Sequence, residues 1–410
     1  MKKKVLISVF LIVLIVMLSK IIIDAYNYPL VTFTSSHPIN ATLGEYRSTG
    51  NHHFHSGIDI GGVDGTNVYP VVTGTAFRLY ADTDSNACVQ VTSSGSRLAY
   101  VHLDSRIDDD PNGDGKPEGV NVIQYKTVIG KIRSGQGHVH LTENGGASNP
   151  LRSGGISPYS DTVSPTVHTI EFYRQGTSTK IQSPLNGDID ILSKASDAQS
   201  IGSQTVGVYK IGYQIKNALN NVIFGPLYNI QFDSKPSDSN LSLVYDTSKS
   251  NNSNYYYWVT NEMNSNKCWN TKQSTSSVST TDNPVEAKFA DGEYTVTVIA
   301  KDIKDNSGEK SLQVILNNWT PQIKSLTTNS TPDKPLKAGD TVEIKIEFTE
   351  QMNTGKTPTV QIWDAKESQW KSLSLSGTAW SNSSDGRIKD AFLKASATLL
   401  GRGGTGDDLT

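Results

Sequence analysis

The chain carries eight histidines, at positions 37, 52, 53, 55, 102, 138, 140 and 168, and all but the last precede residue 141. Imidazole binds metals and moves protons near neutral pH, so the clustering is a chemical signal. His138 and His140 lie in the run Gly137-His-Val-His-Leu141. Residues two apart on a strand face the same side with Cα atoms about 7 Å apart, so both imidazoles can reach one small site. A polar strand face would use the same pattern. His55-Ser-Gly-Ile-Asp59 adds an imidazole and a carboxylate four residues apart. Fully extended they would stand about 13 Å apart, too far to share a metal at bonds of about 2 Å, so a bend must intervene. Gly57, with Gly61-Gly62 following, permits one, and the β-branched neighbours disfavour a helix. His102, in Tyr100-Val-His-Leu103, is a third piece. Taken singly, each piece is equally a solvated loop or an ordinary strand residue.

Together they follow an order. Gly44-Glu-Tyr-Arg47, His53-Phe-His55-Ser-Gly57-Ile-Asp59-Ile, Val68-Tyr-Pro-Val-Val-Thr-Gly74-Thr-Ala, Tyr100-Val-His102-Leu, Val128-Ile-Gly130-Lys and His138-Val-His140-Leu succeed one another over about residues 28 to 152. In order and spacing this resembles the lysostaphin-type, LytM-like zinc metallopeptidases, which act on peptidoglycan. The resemblance implies that His55, Asp59 and His140 are zinc ligands and that His102 and His138 line the site as catalytic residues. Three N/O ligands leave a fourth tetrahedral position for water, as in a catalytic zinc site. The implied activity is a zinc metalloendopeptidase that hydrolyses peptide bonds of bacterial peptidoglycan, its peptides being the substrate partner. Two other readings stay open: an adhesin-like surface binding protein, and a non-catalytic regulatory scaffold that retains the zinc site.

The chain also departs from the resemblance. Relatives often carry a tyrosine oxyanion donor shortly before the first zinc histidine, whereas Tyr46 lies nine residues upstream, which leaves Arg47 or His53 as replacements. The Gly-Asn turn common before the Tyr-x-His-Leu strand gives way to Ser85-Asn-Ala-Cys88. After His102 an acidic insertion follows, in which Asp110, Asn112, Asp114 and Gly115 match the opening of a Ca²⁺ loop. Position twelve is Asn121 rather than a bidentate acid, so a solvated surface loop is the favoured reading.

The elements that must hold these residues read as strands. Val342, Ile344, Ile346 and Phe348 alternate with charged residues; Tyr294, Val296, Val298 and Ala300 do so after Asp291-Gly292; Tyr209 to Ile215 and Tyr255 to Val259 supply two more. A helical period stands out only from Ala391 to Leu400. The expected fold class is all-β: a LytM-like β-sheet peptidase domain at 28–165, an immunoglobulin-like β-sandwich region at 166–319, either one elaborated sandwich or two small ones, and another immunoglobulin-like sandwich at 320–410 ending in a frayed tail. No histidine follows His168, so the sandwiches are expected to be dispensable for chemistry and to place the peptidase on its substrate.

Lys2 to Lys4 precede the apolar run Val5 to Leu18, the layout of an export signal, so residues 1–25 are a signal peptide or, if Val5 to Ile23 is retained, a membrane anchor. The protein is expected to be exported to the periplasm, cell surface or medium. Two cysteines, Cys88 and Cys268, build neither a disulfide framework nor a cysteine zinc site. With 37 Lys and Arg against 40 Asp and Glu, and no basic run beyond the amino terminus, the chain lacks the footprint of a nucleic-acid binder.

Overall fold

The residues 39–41, 58–61, 74–79, 88–93, 96–101, 120–122 and 138–143 are short β-prone segments separated by Gly, Asn, Asp and Ser turns. In the structure, a computed structural model, they form one antiparallel seven-stranded sheet. Its order is Ile39–Ala41, Ile58–Gly61, His138–Glu143, Ser96–Val101, Cys88–Ser93, Gly74–Leu79 and Val120–Val122. The described residues are 25 to 398 apart from 111, 203, 273–288, 290, 319–322, 332, 335, 337, 338, 349–351, 353, 354, 365–367 and 382–391. The amino-terminal run, most of the polar insertion at 271–283 and the tail at 401–410 lie outside them. Apolar residues alternating on this sheet, among them Ile58, Ile60, Val89, Val91, Tyr100, Val139 and Leu141, bury one core.

A second core lies between two antiparallel sheets. One is built on the long strand Asp188–Ala198, and the other runs Val222–Gln231, Lys210–Asn217, Gly292–Lys301, Ser307–Leu316. Ile189 and Ile191 from the first join Ile211, Tyr213, Val296 and Val298 from the second in a single cluster, so the two sheets share one core. The strands read at 209–215, 255–259, 294–300 and 342–348 are present, as Lys210–Asn217, Tyr256–Trp258, Gly292–Lys301 and Thr341–Phe348. Residues 391–400 are a correction. Phe392–Thr398 is a strand, paired from Thr341↔Thr398 to Glu347↔Phe392. An Ala/Leu-rich window this short satisfies either period, and the ladder offered by the neighbouring strand decides it. Thr341–Phe348 buries its apolar face in a third, smaller cluster. The described helices are the 3₁₀ turn Asp238–Asn240 and the single α-helical turn Leu241–Val244, and no described helix is long and apolar enough to cross a membrane.

The first sheet does not stand apart from the sandwich. Leu43, Tyr46 and Phe54, from the segment before the first candidate ligand, belong to the sandwich core. Gly44 shows how closely the two meet, for a Cβ there would lie 2.1 Å from Cδ1 of the Phe232 ring, and its φ of +88° also favours glycine. The Tyr245 hydroxyl donates to the Gly44 carbonyl at 2.8 Å, and Asn149 Nδ2 to that of Phe232 at 2.9 Å. Part of the wall of the first unit is therefore packed by side chains contributed after residue 165.

Candidate metal centre and its surroundings

Asp59 and His140 sit directly opposite one another on adjacent strands, in the register His138↔Gly61, His140↔Asp59. Such cross-strand pairs hold Cβ atoms about 4.5–5.5 Å apart, within reach of a shared ligand. Val101 is paired with His140 from the other side, which delivers the next residue, His102, to the same place. His102 leaves the strand at once, with a φ of +66°, and its ring centroid lies 6.2 Å from that of His140. His55 arrives through the bend at Gly57. Glycine is required there by close approach, because a Cβ would lie 2.1 Å from the Leu141 carbonyl oxygen.

Three atoms converge. His55 Nε2 is 3.1 Å from Asp59 Oδ1 and 2.9 Å from His140 Nδ1, which is itself 2.9 Å from Asp59 Oδ1. All three residues are buried. The outer ring nitrogens have their own partners: His55 Nδ1 donates to the Thr42 carbonyl at 2.9 Å, and His140 Nε2 meets Thr142 Oγ1 at 2.6 Å and Ser56 Oγ at 3.3 Å. Fixing one nitrogen this way aims the other inward as a donor, the arrangement that orients metal-binding histidines. The set of two imidazole nitrogens and one carboxylate oxygen therefore fits a zinc ion.

Electrostatics follow from the geometry. Burial raises the Asp59 pKa, but the His55 and His140 imidazoles more than reverse this and hold the carboxyl well below the usual range. Burial pushes His140 down to about 4, with the Asp59 hydrogen bond opposing. His140 is thus neutral and ligand-ready at neutral pH.

His102 and His138 stand beside this cluster with ring centroids 5.0 Å apart, and His138 Nε2 is 3.6 Å from Asp59 Oδ1. Each has Nδ1 at a backbone carbonyl, Ser85 at 2.7 Å and Gln136 at 2.6 Å, which assigns the proton to Nδ1 and leaves an Nε2 lone pair. The segment Ser85 to Cys88 thus acquires a role, since it orients His102. Burial lowers the His102 pKa, the neighbouring His138 adding to it.

Alternation sorts the preceding hairpin. Tyr46–Arg47 pairs with His53–Phe54, and this sends Tyr46 and Phe54 into the sandwich core while Glu45, Arg47 and His55 face the cluster. Tyr46 Oη meets His52 Nδ1 at 2.6 Å, away from Asp59, and His53 Nδ1 meets the Asn51 carbonyl. Of the two replacements for a tyrosine donor, Arg47 is the one beside the cluster, its NH2 at 3.5 Å from Asp59 Oδ2. Although burial works to lower the Arg47 pKa, Glu45 and Asp59 outweigh it and the guanidinium stays charged.

Glu45 was given no role by its sequence context. Its Oε2 receives Arg47 NH1 at 2.8 Å and the Tyr255 hydroxyl at 2.9 Å, and its Oε1 receives Gly207 N at 2.9 Å and Thr42 N at 2.7 Å. The available signal was the pair Glu45 and Arg47, opposite charges two residues apart on one strand face. The remaining histidines lie elsewhere: His37 contacts the Thr32 carbonyl and His168 contacts Ser196 Oγ. In the acidic insertion, Asp110 accepts the backbone N–H groups of Asp114 and Gly115, so its oxygens close their own turn. Cys88 and Cys268 are both free thiols.

No family model, curated protein or solved structure matches this chain. The assignment of chemistry therefore rests on the residues themselves.

Proposed function

We propose that this chain is an exported zinc metalloendopeptidase of lysostaphin type that hydrolyses peptide bonds of bacterial peptidoglycan. The observation that carries the reading is the convergence of His55 Nε2, Asp59 Oδ1 and His140 Nδ1, with two further imidazoles alongside. In this reading residues 28–165 are a LytM-like peptidase unit and the following sandwiches are immunoglobulin-like. His55, Asp59 and His140 hold zinc, which when bound polarises a peptide carbonyl and makes water a nucleophile near pH 7.

The chain's own groups supply the rest. With Nδ1 at a backbone carbonyl, His102 and His138 each leave Nε2 available for proton transfer. One accepts the proton of the attacking water as its oxygen bonds to the carbonyl carbon, and a protonated imidazole returns a proton to the amide nitrogen as the C–N bond breaks. Arg47, kept cationic by Glu45, offers N–H donors to negative charge on the carbonyl oxygen. The amino-terminal basic and apolar run supports export, where peptidoglycan is met.

The test is incubation of the full chain with purified peptidoglycan, with and without a chelator, and identification of new termini by mass spectrometry. New peptide termini that vanish with chelator and return with zinc are expected. Zinc-loaded protein that binds the wall yet yields no new termini would instead favour the surface-binding or scaffold reading.

A further inference from the structure

Asp161, Asp197 and Asp302 come from three different elements. Asp161 lies in the segment connecting the first sheet to the sandwich, Asp197 near the end of strand Asp188–Ala198, and Asp302 just beyond strand Gly292–Lys301 of the facing sheet. One carboxylate oxygen from each lies within 4.8 Å of the others, and all three residues are at most 5% exposed. Among the described residues no Lys or Arg forms an ion pair with any of them, although buried carboxylates ordinarily require one. Lys304, close in sequence, stands over the Tyr159 ring instead, 4.9 Å from its centroid.

A second observation separates this cluster from a chance gathering of acids. Asp161 Oδ1 is saturated by Val163 N at 3.0 Å, Ser200 Oγ at 2.8 Å and Ser200 N at 3.2 Å. Its other oxygen, Oδ2, is buried with no hydrogen-bond partner. An orphaned buried carboxylate oxygen is costly, and its natural complement is a cation. The neighbours are held in place for one. Asp302 Oδ1 accepts Lys304 N and Asn306 N, both at 2.8 Å, Asp302 Oδ2 accepts Asn306 Nδ2 at 2.6 Å, and Asp197 Oδ1 accepts Ala198 N at 2.9 Å. A cavity of about 20 Å³, lined in part by Tyr159, Asp197, Gln199 and Asp302, adjoins the group, enough for one small occupant.

We propose that Asp161, Asp197 and Asp302 form a calcium site that clamps the connecting segment to both sheets of the sandwich. The donors are hard oxygens with no nitrogen or sulfur, which selects calcium or magnesium over zinc. Magnesium keeps several waters in a strict octahedron, which three buried carboxylates beside a cavity of about 20 Å³ do not accommodate, so the site suits calcium. The site is independent of the hydrolytic reading, because none of its ligands reaches the histidine cluster.

The experiment uses the full chain, freed of divalent ions and given one equivalent of zinc, then titrated with calcium chloride by calorimetry and thermal unfolding. Expected are one calcium bound per chain and a rise in Tm of about 5 °C or more at saturating calcium, with magnesium much weaker. Asp197→Asn and Asp302→Asn should each abolish the rise, while Asp110→Asn in the exposed loop keeps it. The amide replaces a buried ionisable carboxyl among two other carboxyls, so calcium-free Asp197→Asn should unfold no earlier than calcium-free wild type. Failure of wild type to bind calcium, equal stabilisation by magnesium, or loss of the response in Asp110→Asn with retention in Asp197→Asn would overturn the proposal.

Discussion

Two buried clusters of ligand-grade side chains lie near the junction of the first sheet and the sandwich, and they are assembled in opposite ways. His55, Asp59 and His140 belong to neighbouring strands and the bend between them, with His140 paired across from Asp59. Asp161, Asp197 and Asp302 come from a connecting segment and the ends of strands in two facing sheets. The ligands of the first cluster come from one sheet and the bend beside it, which gives the positional rigidity that chemistry needs. The second exists only once the sandwich has closed and the connecting segment has docked. Mixed nitrogen and oxygen donors thus sit on one rigid element, whereas all-oxygen donors sit where elements must be tied together.

The sharpest way to break this contrast is at the histidine cluster. Asp59→Ala or His140→Ala should lose bound zinc, and hydrolysis should fall to background; His102→Ala should keep the metal and lose about 10²–10⁴-fold in kcat. Metal analysis beside turnover separates the two classes, and equal zinc loss in all three would erase the division between ligands and proton carriers.

Next in size is the shared core. Phe54→Ala removes a fully buried ring from the sandwich core and should cost about 3–5 kcal/mol in urea unfolding. A fragment ending near residue 165 should likewise lose the wall formed by Leu43, Tyr46 and Phe54, and with it most turnover on a soluble peptide. Full activity in that fragment would mean that the packing across the junction does not matter to the site.

A smaller effect tests the polar link between the regions. Tyr255→Phe deletes one donor to Glu45 Oε2 and should cost about 0.5–1.5 kcal/mol of stability. It should also lower kcat several-fold with KM little changed, because Arg47 loses part of its support. An unchanged kcat would confine Glu45 to a structural role.

The smallest effect is a pH trend in chelated protein. Burial, with Asp161 adding, raises Asp197 from the ordinary 3.8 to about 8. The folded chain therefore holds a proton that the unfolded chain releases, so this group's stabilisation is complete below about pH 4 and is lost as pH rises through 8. The Tm of wild type relative to Asp197→Asn should decline across that window. A flat difference would show that the carboxyl is not desolvated as the structure has it.

Legibility in the sequence differed between the two clusters for a physical reason. The spacing His138-x-His140 works through strand alternation alone, and His55 to Asp59 needed only a bend, so both could be read along a few residues. Gly57 was read as conformational freedom, yet the structure requires it because the Leu141 carbonyl passes too close for a side chain. The strand at 392–398 was misread because its short apolar pattern carries either period until a partner strand is present.

The sequence by itself determined the all-β character, the alternating strands and the shared strand face of His138 and His140, because these depend on neighbours a few residues apart. Only the tertiary structure decided that Glu45 is held by Gly207 and Tyr255, that Tyr46 serves the sandwich core rather than the site, and that three distant aspartates meet. Those contacts arise from loop closure over long stretches of chain, where no local periodicity records which ends will be brought together.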